Sequence, residues 1–157
     1  MALDELNGKQ LLASFGVNVP KSVVVSDAAG AAEAVATLRP PFVVKVMSPD
    51  ILHKSDAGGV RVRLQSVAEV EQAIDEMAAL PAIKSARVDG YLIEEMAPPG
   101  QEIVVGGVRD PDFGPLVMVG LGGIFVEVLA DVAFRICPIT PLDAAEMLAE
   151  LKGAAVL

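Results

Sequence analysis

The spacing of apolar residues changes along the chain between a helical period and a strand-like one, which predicts a fold of mixed helices and strands. Leucines at positions 3, 6, 11 and 12 fall mostly on one face of a first helix, which Gly16 closes. Short runs rich in β-branched residues predict four strands, at residues 22–25, 42–46, 60–64 and 90–96. The first hundred residues therefore alternate between helices and strands.

Two further helices are predicted between these strands. The capping residues Ser26 and Asp27 precede an alanine-rich helix at residues 28–38. A second helix begins at Ser66 and places four apolar residues on one face, namely Val67, Val70, Ile74 and Met77. Glu69 follows Ser66 at the spacing of a capping box, so we expect reciprocal hydrogen bonds at this helix start.

Strands dominate the rest of the chain. The pattern predicts strands at residues 102–108, 116–119, 124–129 and 132–136, a turn-rich link at 109–115 and a last helix at 142–151. Pro98, Pro99 and Gly100 mark a boundary where helices give way to strands. We therefore expect an α+β (α/β) fold with two lobes, residues 1–97 and residues 98–157.

Composition and charge narrow the classes of function. Hydrophobic residues make up 53% of the chain and aromatic residues 4%, so the core must be mostly aliphatic. A net charge of −9 is a poor match for nucleic acid or an anionic membrane, so any site for a polyanion must be a local group of lysines, backbone amides and Mg²⁺. The single cysteine excludes an intrachain disulfide and the usual zinc site. With no secretory signal or spanning segment visible, we expect a soluble cytoplasmic protein.

The most polar and glycine-rich stretch of the chain surrounds its only histidine. An imidazole, an ammonium, a hydroxyl, a carboxylate and two glycines come from His53, Lys54, Ser55, Asp56, Gly58 and Gly59. Paired glycines let the backbone approach a ligand closely, and a histidine there acts as a proton shuttle or as a nucleophile that carries a group. An ordinary hairpin turn is the alternative, because Asp-Ala-Gly-Gly is also good turn chemistry.

Charged residues at three strands extend the candidate site. Lys45 interrupts an apolar strand, either as a snorkelling strand-end lysine or as an ammonium that binds phosphate in a cleft. Glu94, Glu95 and Glu102 lie where strands end or begin and are candidates for hydrogen bonds with ribose. Solvated carboxylates at the rim of the fold explain these three positions equally well.

A second glycine-rich segment, Gly120-Leu121-Gly122-Gly123, is a weak signal by itself because glycines also bend strands. Glu127, Asp131 and Arg135 follow it closely. Together they offer carboxylates for Mg²⁺ and a guanidinium for phosphoryl oxygens. Glu127 is the most informative of the three, since a carboxylate inside an apolar strand needs a partner.

Taken together, these segments resemble the ATP-grasp domain of NDP-forming acyl-CoA synthetases, which include the beta subunit of ADP-forming acetyl-CoA synthetase. Two segments are specific to that family, HKSDAGGV at residues 53–60 and GLGGIFVEVL at residues 120–129. Supporting matches are at residues 9–12, 15–17, 43–46, 94–96, 100–106 and 110–115. The resemblance covers nearly the whole chain.

The resemblance implies two lobes that clamp ATP and Mg²⁺. Lys45 would contact the phosphates, Glu102 the ribose, and the loop with Ser55, Gly58 and Gly59 would close over the triphosphate. His53 stands at the position of a histidine that relays a phosphoryl group. The resemblance also gives a hinge that reads adenine, formed by Glu94, Glu95, Met96 and Ala97. Glu127 and Asp131 as Mg²⁺ ligands and Arg135 as a cation for phosphoryl oxygens are candidates from the residues alone.

The resemblance also implies partners. These are CoA-binding and ligase domains of the same or a partner chain, with CoA and a carboxylic acid as substrates. Because the family's domain continues beyond residue 157, we expect this chain to be incomplete at its C-terminal end and inactive alone. The same domain is fused to some protein lysine acetyltransferases, so a non-catalytic regulatory role is the alternative. An oligomer is compatible with the sequence, which does not fix the number of subunits.

Overall fold

The computed structural model describes residues 4–122 and 131–157 and divides into two compact units, residues 1–98 and residues 99–157. Both units mix helices with antiparallel sheet, as the sequence predicts. The predicted strand at 124–129 lies outside the described residues. No helix within the described ranges is long and apolar enough to cross a membrane.

The first unit is built on a four-stranded antiparallel sheet whose order is β1-β4-β2-β3. The strands are β1 (Ser22–Val25), β2 (Phe42–Met47), β3 (Val60–Leu64) and β4 (Gly90–Glu95). All four were expected from the β-branched runs. The two central strands, β2 and β4, are almost entirely buried, which explains why their sequences are mostly apolar without alternation, apart from Lys45, Glu94 and Glu95.

The helices of the first unit are α1 (Glu5–Ser14), α2 (Ala31–Val35), α3 (Val67–Ala79) and α4 (Pro81–Lys84), with a 3₁₀ turn at Ala28–Gly30. A single helix over residues 28–38 was the wrong prediction. The Asp27 carboxylate accepts the N–H of Ala29, two residues on, and this bond accompanies a tight 3₁₀ first turn. At the other end, the backbone N–H groups of Thr37 and Leu38 donate to carbonyls three residues earlier. The α-helical hydrogen-bond pattern therefore stops before the predicted end at residue 38.

Helix α3 carries the apolar face that the sequence predicted. Val70, Ile74 and Met77 are buried in the core of the first unit. The capping box at its start is only half formed. Ser66 Oγ accepts the N–H of Glu69 at 3.3 Å, but the Glu69 carboxylate accepts from the N–H of Gln65 rather than from that of Ser66.

Helix α1 departs from the expected apolar packing. None of its residues is buried, and Leu11 and Leu12 are 49 and 50% exposed. The helix ends at Ser14, and Gly16, two residues on, has the positive φ of 82° that favours glycine. Its contacts with the sheet instead come from the charged residues Glu5 and Lys9.

The second unit contains a three-stranded antiparallel sheet in the order β5-β6-β7, followed by a helix. Its elements are β5 (Ile103–Asp110), β6 (Gly114–Leu121), β7 (Val132–Ile136), α5 (Pro141–Glu150) and a 3₁₀ turn at Ala154–Val156. The predicted link at 109–115 is mostly strand. Asp110 shortens it to a tight turn, since its carboxylate accepts the N–H groups of Asp112 and Phe113.

Helix α5 packs on one face of this sheet. Met147 is buried with Val119 and Leu121 in the core of the second unit. Thr140 and Asp143 form a complete capping box at the helix start. The predicted last helix is therefore confirmed.

Candidate functional site

Lys45 is the one charged residue of strand β2, and it lies between buried apolar neighbours. Its ammonium is 2.6 Å from a carboxylate oxygen of Glu94 and 2.6 Å from one of Glu5. A snorkelling lysine would reach solvent alone, whereas this side chain is 23% exposed and held by two carboxylates. Lys45 is therefore a fixed positive charge at the surface of the sheet.

Glu94 supplies one of these carboxylates from the neighbouring strand β4, where it lies directly against Val43 in the register. Its side chain is only 5% exposed, and its second oxygen binds Lys9 of helix α1. A buried carboxylate needs partners of this kind, because desolvation of an unpaired charge is costly. Lys9 and Lys45 together satisfy it.

Glu5, in the first turn of α1, supplies the other carboxylate and binds three ammonium groups. The distances to the Nζ atoms of Lys45, Lys9 and Lys54 are 2.6, 2.9 and 3.0 Å. Burial alone would raise the pKa of Glu5, but hydrogen bonds from the three lysines outweigh it and lower the pKa to about 2. Glu5 therefore stays ionised over the whole neutral range.

These five residues form what we call the charge cluster: Glu5, Lys9, Lys45, Lys54 and Glu94. Three ammonium groups face two carboxylates, so the cluster keeps an excess of one positive charge. Burial would lower the pKa of Lys45, yet the hydrogen bonds that its ammonium donates to Glu5 and Glu94 raise it above its ordinary value. Lys45 therefore keeps its positive charge at physiological pH.

A cavity of about 350 Å³ opens beside the charge cluster. It is lined by Glu5, Lys45, His53, Lys54, Ser55 and Asp56, among others. The His53 side chain is exposed there, and so is that of Ser55. A larger depression of about 530 Å³ on the second unit is lined mainly by aliphatic residues and glycines. The smaller cavity therefore contains the cations that a polyanion would need.

The glycine loop, residues 53–59, is compact and folds back on itself. Gly58 has a positive φ of 72°, and a side chain at buried Gly59 would collide with Val46 of β2. The N–H groups of these glycines donate to the carbonyls of Ser55 and Lys54. We expected them to point at a ligand, but in this conformation they are used inside the loop.

Arg61 fastens the end of the glycine loop. Its guanidinium donates to the carbonyl of Gly58 at 2.8 Å and to that of Val60 at 3.1 Å. The backbone of β3 continues from this point, and Lys45 pairs with Val60 across the sheet. The loop, Lys54 and Lys45 are thus held on the same part of the sheet.

The other candidates for an adenine-binding hinge, Glu95, Met96 and Ala97, lie at the end of strand β4 or just after it, next to Glu94 of the charge cluster. Glu95 accepts hydrogen bonds from the Arg39 backbone N–H and guanidinium, and these hydrogen bonds lower its pKa. Met96 donates its N–H to the carbonyl of Pro41, and the side chain of Ala97 is exposed. A role of these residues in reading adenine stays a prediction.

The remaining candidates lie in the second unit. Glu102 is exposed, and Arg135 is paired with Glu150 of α5. The buried Asp131 carboxylate accepts the N–H groups of Lys152 and Gly153, at 2.8 and 2.9 Å. In this structure Asp131 therefore fastens the chain after α5, and its role in binding metal stays a prediction.

The donor set for Mg²⁺ is incomplete in the part of the chain that the structure describes. Residues 4–122 and 131–157 contain no group of three or more His, Cys, Asp or Glu side chains placed to hold a metal ion. Glu127 lies outside these residues. Mg²⁺ commonly binds through one or two carboxylates plus substrate phosphates, so it does not require a group of three protein ligands.

Comparison with known proteins identifies the arrangement. A model of the ATP-grasp domain matches residues 1–157. The chain belongs to the ATP-grasp family. Its fold agrees with a solved structure of acetyl-coenzyme A synthetase 1 from Ca. Korarchaeum cryptofilum in complex with coenzyme A and Ca-AMPCP, with a TM-score of 0.93 and 40% identity over 99% of this chain and 69% of that one. The expected fold class is therefore confirmed.

Curated relatives of this ATP-grasp chain are ADP-forming acyl-CoA ligases. It is 42% identical to the beta subunit of acetate–CoA ligase I of Pyrococcus furiosus, over 99% of this chain and 68% of the relative. It is 41% identical to 4-hydroxybutyrate–CoA ligase of Nitrosopumilus maritimus, over 98% of this chain but 22% of the relative. The chain thus spans about two thirds of the first relative and about a fifth of the second.

The residues that the ATP-grasp site brings together are partly those that the sequence predicted. Lys45, His53 and Ser55 line one cavity, and Glu94 holds Lys45 beside it. Two members of the charge cluster, Glu5 and Lys9, were not among the predicted site residues, and Lys54 was named as part of the glycine loop without a role of its own. One signal was available, since Glu5 and Lys9 are four residues apart on a helix whose leucine face is weak.

Proposed function

We propose that this ATP-grasp domain binds ATP and relays its phosphoryl group in an ADP-forming acyl-CoA synthetase. One observation carries the proposal: the only histidine of the chain lines the same cavity as the ammonium groups of Lys45 and Lys54. Cations fixed beside a potential nucleophile suit phosphoryl transfer, in which positioning and electrostatic stabilisation supply most of the catalysis.

The fit between this cavity and a triphosphate rests on charge. Lys45 and Lys54 would hold phosphoryl oxygens. The chain carries a net charge of −9, so this local excess of positive charge is what makes a triphosphate acceptable here. The contributions of Glu102 to ribose binding, of Glu94 to Ala97 to adenine binding and of Arg135 to phosphoryl oxygens rest on the family resemblance.

The proposed step is an in-line transfer to His53. The lone pair of an imidazole nitrogen forms a bond to the γ-phosphorus, the bond from that phosphorus to the bridging oxygen breaks, and ADP leaves with the electron pair. Lys45 and Lys54 offset the negative charge of the phosphoryl oxygens. The glycine loop carries His53 and is held by Arg61, so it presents the imidazole from a defined position.

The partners in this proposal are those of the relatives. A related structure from Ca. Korarchaeum cryptofilum, 39% identical, contains coenzyme A, Mg-AMPPCP and a phosphohistidine segment that points towards the nucleotide-binding site. We infer that CoA-binding domains, CoA, a carboxylic acid and Mg²⁺ take part with this chain, and that it works in the cytoplasm. Asp131 and Glu127 remain the candidate metal ligands.

Labelling with γ-phosphate-labelled ATP and Mg²⁺ tests the relay. We expect an acid-labile, base-stable phosphate on the chain, alone or after addition of a CoA-binding subunit from a relative. Because His53 is the only histidine, the label must disappear in His53→Ala. Lys45→Met should reduce it strongly, while Lys84→Met, at an exposed lysine of α4, serves as the matched control.

Two outcomes separate the functions. Label that persists in His53→Ala would show that the relay assignment is wrong. If ATP binds but no label forms with the CoA-binding subunit present, the domain is a regulatory module, as the fusion to acetyltransferases in related proteins implies.

A further inference from the structure

We propose that Glu5 is a built-in competitor of phosphate: its carboxylate occupies the anion position at Lys45 and Lys54, and a bound triphosphate displaces it together with helix α1, which also carries Lys9. The inference deepens the proposed function, on which it rests. It assigns to the first helix the role of a strap that closes the phosphate site when no nucleotide is bound.

The contacts of Glu5 are those of a bound anion. One carboxylate meets ammonium groups from three separate segments: Lys9 of α1, Lys45 of β2 and Lys54 of the glycine loop, all within 3.0 Å. A phosphoryl oxygen seeks the same donors at similar distances. Glu5 also lines the cavity that contains His53, so a phosphate that approaches His53 meets this carboxylate.

Helix α1 is held in a way that allows release. None of its residues is fully buried: Leu6 is half-buried, and Leu11 and Leu12 are 49 and 50% exposed, so removing the helix exposes less apolar surface than removing a core helix such as α3. Among the described residues, the ion pairs that join α1 to the sheet and to the glycine loop are made by Glu5 and Lys9 of the charge cluster. An incoming polyanion competes directly for these ionic contacts.

The lysine site persists after Glu5 leaves. Lys45 keeps its contact with Glu94, whose carboxylate is 2.6 Å away and fixed on β4. Lys54 stays on the glycine loop, which hydrogen bonds within itself and to Arg61. Lys9 leaves with Glu5 on α1, so Lys45, Lys54 and Glu94 keep an excess of one positive charge, and Lys54 no longer has the Glu5 carboxylate as its partner.

Binding to a Glu5→Gln variant is the first test. Calorimetric titration of the full chain with ATP and with tripolyphosphate should show binding about 5- to 100-fold tighter than in the wild type, the range typical of coupling between competing contacts. Glu33→Gln removes the same charge from an exposed position of α2 and should leave both affinities unchanged. Tripolyphosphate isolates the phosphate site from base and ribose recognition.

The outcomes distinguish this inference from the proposed function. If the wild type binds ATP but Glu5→Gln binds it equally or more weakly, Glu5 merely positions the lysines and the competitor role is overturned, while ATP binding stands. If neither protein binds ATP or tripolyphosphate, both proposals fail.

A second measurement needs no variant. Hydrogen exchange of the wild type with saturating tripolyphosphate should become several-fold faster in α1, because an isolated helix of this length is marginal in water. Exchange in the glycine loop should slow at the same time. Unchanged or slower exchange in α1, with the loop protected, would overturn the strap.

Discussion

The strongest quantitative prediction concerns the stability that Glu5 gives to the first unit. Its pKa of about 2, against an ordinary value of 4.5, means that the folded state strongly prefers the ionised form. Because one pKa unit corresponds to about 1.4 kcal/mol, Glu5→Gln should reduce the free energy of unfolding at neutral pH by up to about 3 kcal/mol. This value is an upper limit, since α1 can detach before the sheet unfolds.

The effect must also depend on pH in a defined direction. The folded-state pKa of Glu5 lies below its unfolded value, so its contribution is complete above about pH 4.5 and is lost as the pH falls towards 2. Glutamine imitates the protonated carboxyl group. The stability difference between wild type and Glu5→Gln should therefore fall to roughly half or less by pH 3 and approach zero near pH 2.

Tyr91 provides a selective assay for this difference. The chain contains one tyrosine and no tryptophan, and Tyr91 is buried in the core of the first unit. Its fluorescence during urea unfolding therefore follows that unit alone. Unfolding curves at pH 7, 5, 4 and 3 give the free energy for each variant by linear extrapolation.

Glu33→Gln is the control, because it removes an exposed carboxylate from the same unit. Two results would refute the reasoning. One is equal stability of wild type and Glu5→Gln at pH 7. The other is a difference that stays constant from pH 7 to pH 3, which would trace the loss to packing rather than to ionisation.

Three further substitutions test other parts of the structure. Gly59→Ala should cost about 1–3 kcal/mol in urea unfolding and also weaken ATP binding, since the new methyl group collides with Val46. Ile74→Ala should cost about 2–5 kcal/mol, read from Tyr91 fluorescence, because the side chain is 1% exposed in the core. Asp131→Ala should cost about 1–3 kcal/mol, and hydrogen exchange should quicken in α5, since two backbone N–H groups lose their acceptor.

The parts of the fold that follow from local pattern were predictable. Strands β1 to β4 match the β-branched runs, and α3 buries the face defined by Val70, Ile74 and Met77. The link at 109–115 and the helix at 28–38 were less accurate. In both segments, an aspartate forms a short-range hydrogen bond that tightens a turn. The spacing of hydrophobic residues does not predict such bonds.

The candidate site was predictable only where its residues share one stretch of sequence. Lys45 and His53 stand out because a cation and a histidine interrupt or follow an apolar strand. Glu5 was not predictable in this way, because its partners Lys45 and Lys54 lie 40 and 49 residues away. The leucines of α1 also indicated apolar packing, whereas charge holds the helix.

The charge cluster ties the stability of the first unit to its affinity for phosphate. The side chains of Lys9, Lys45 and Lys54 are between 18 and 25% exposed, so their mutual repulsion is poorly screened without an anion. Glu5 supplies that anion in the free protein, and the stabilisation it gives is what a phosphate must replace. If Glu5 competes with phosphate, Glu5→Gln should lower the stability of the first unit and raise its affinity for phosphate. If Glu5 only orients the lysines, the same substitution should lower both the stability and the affinity.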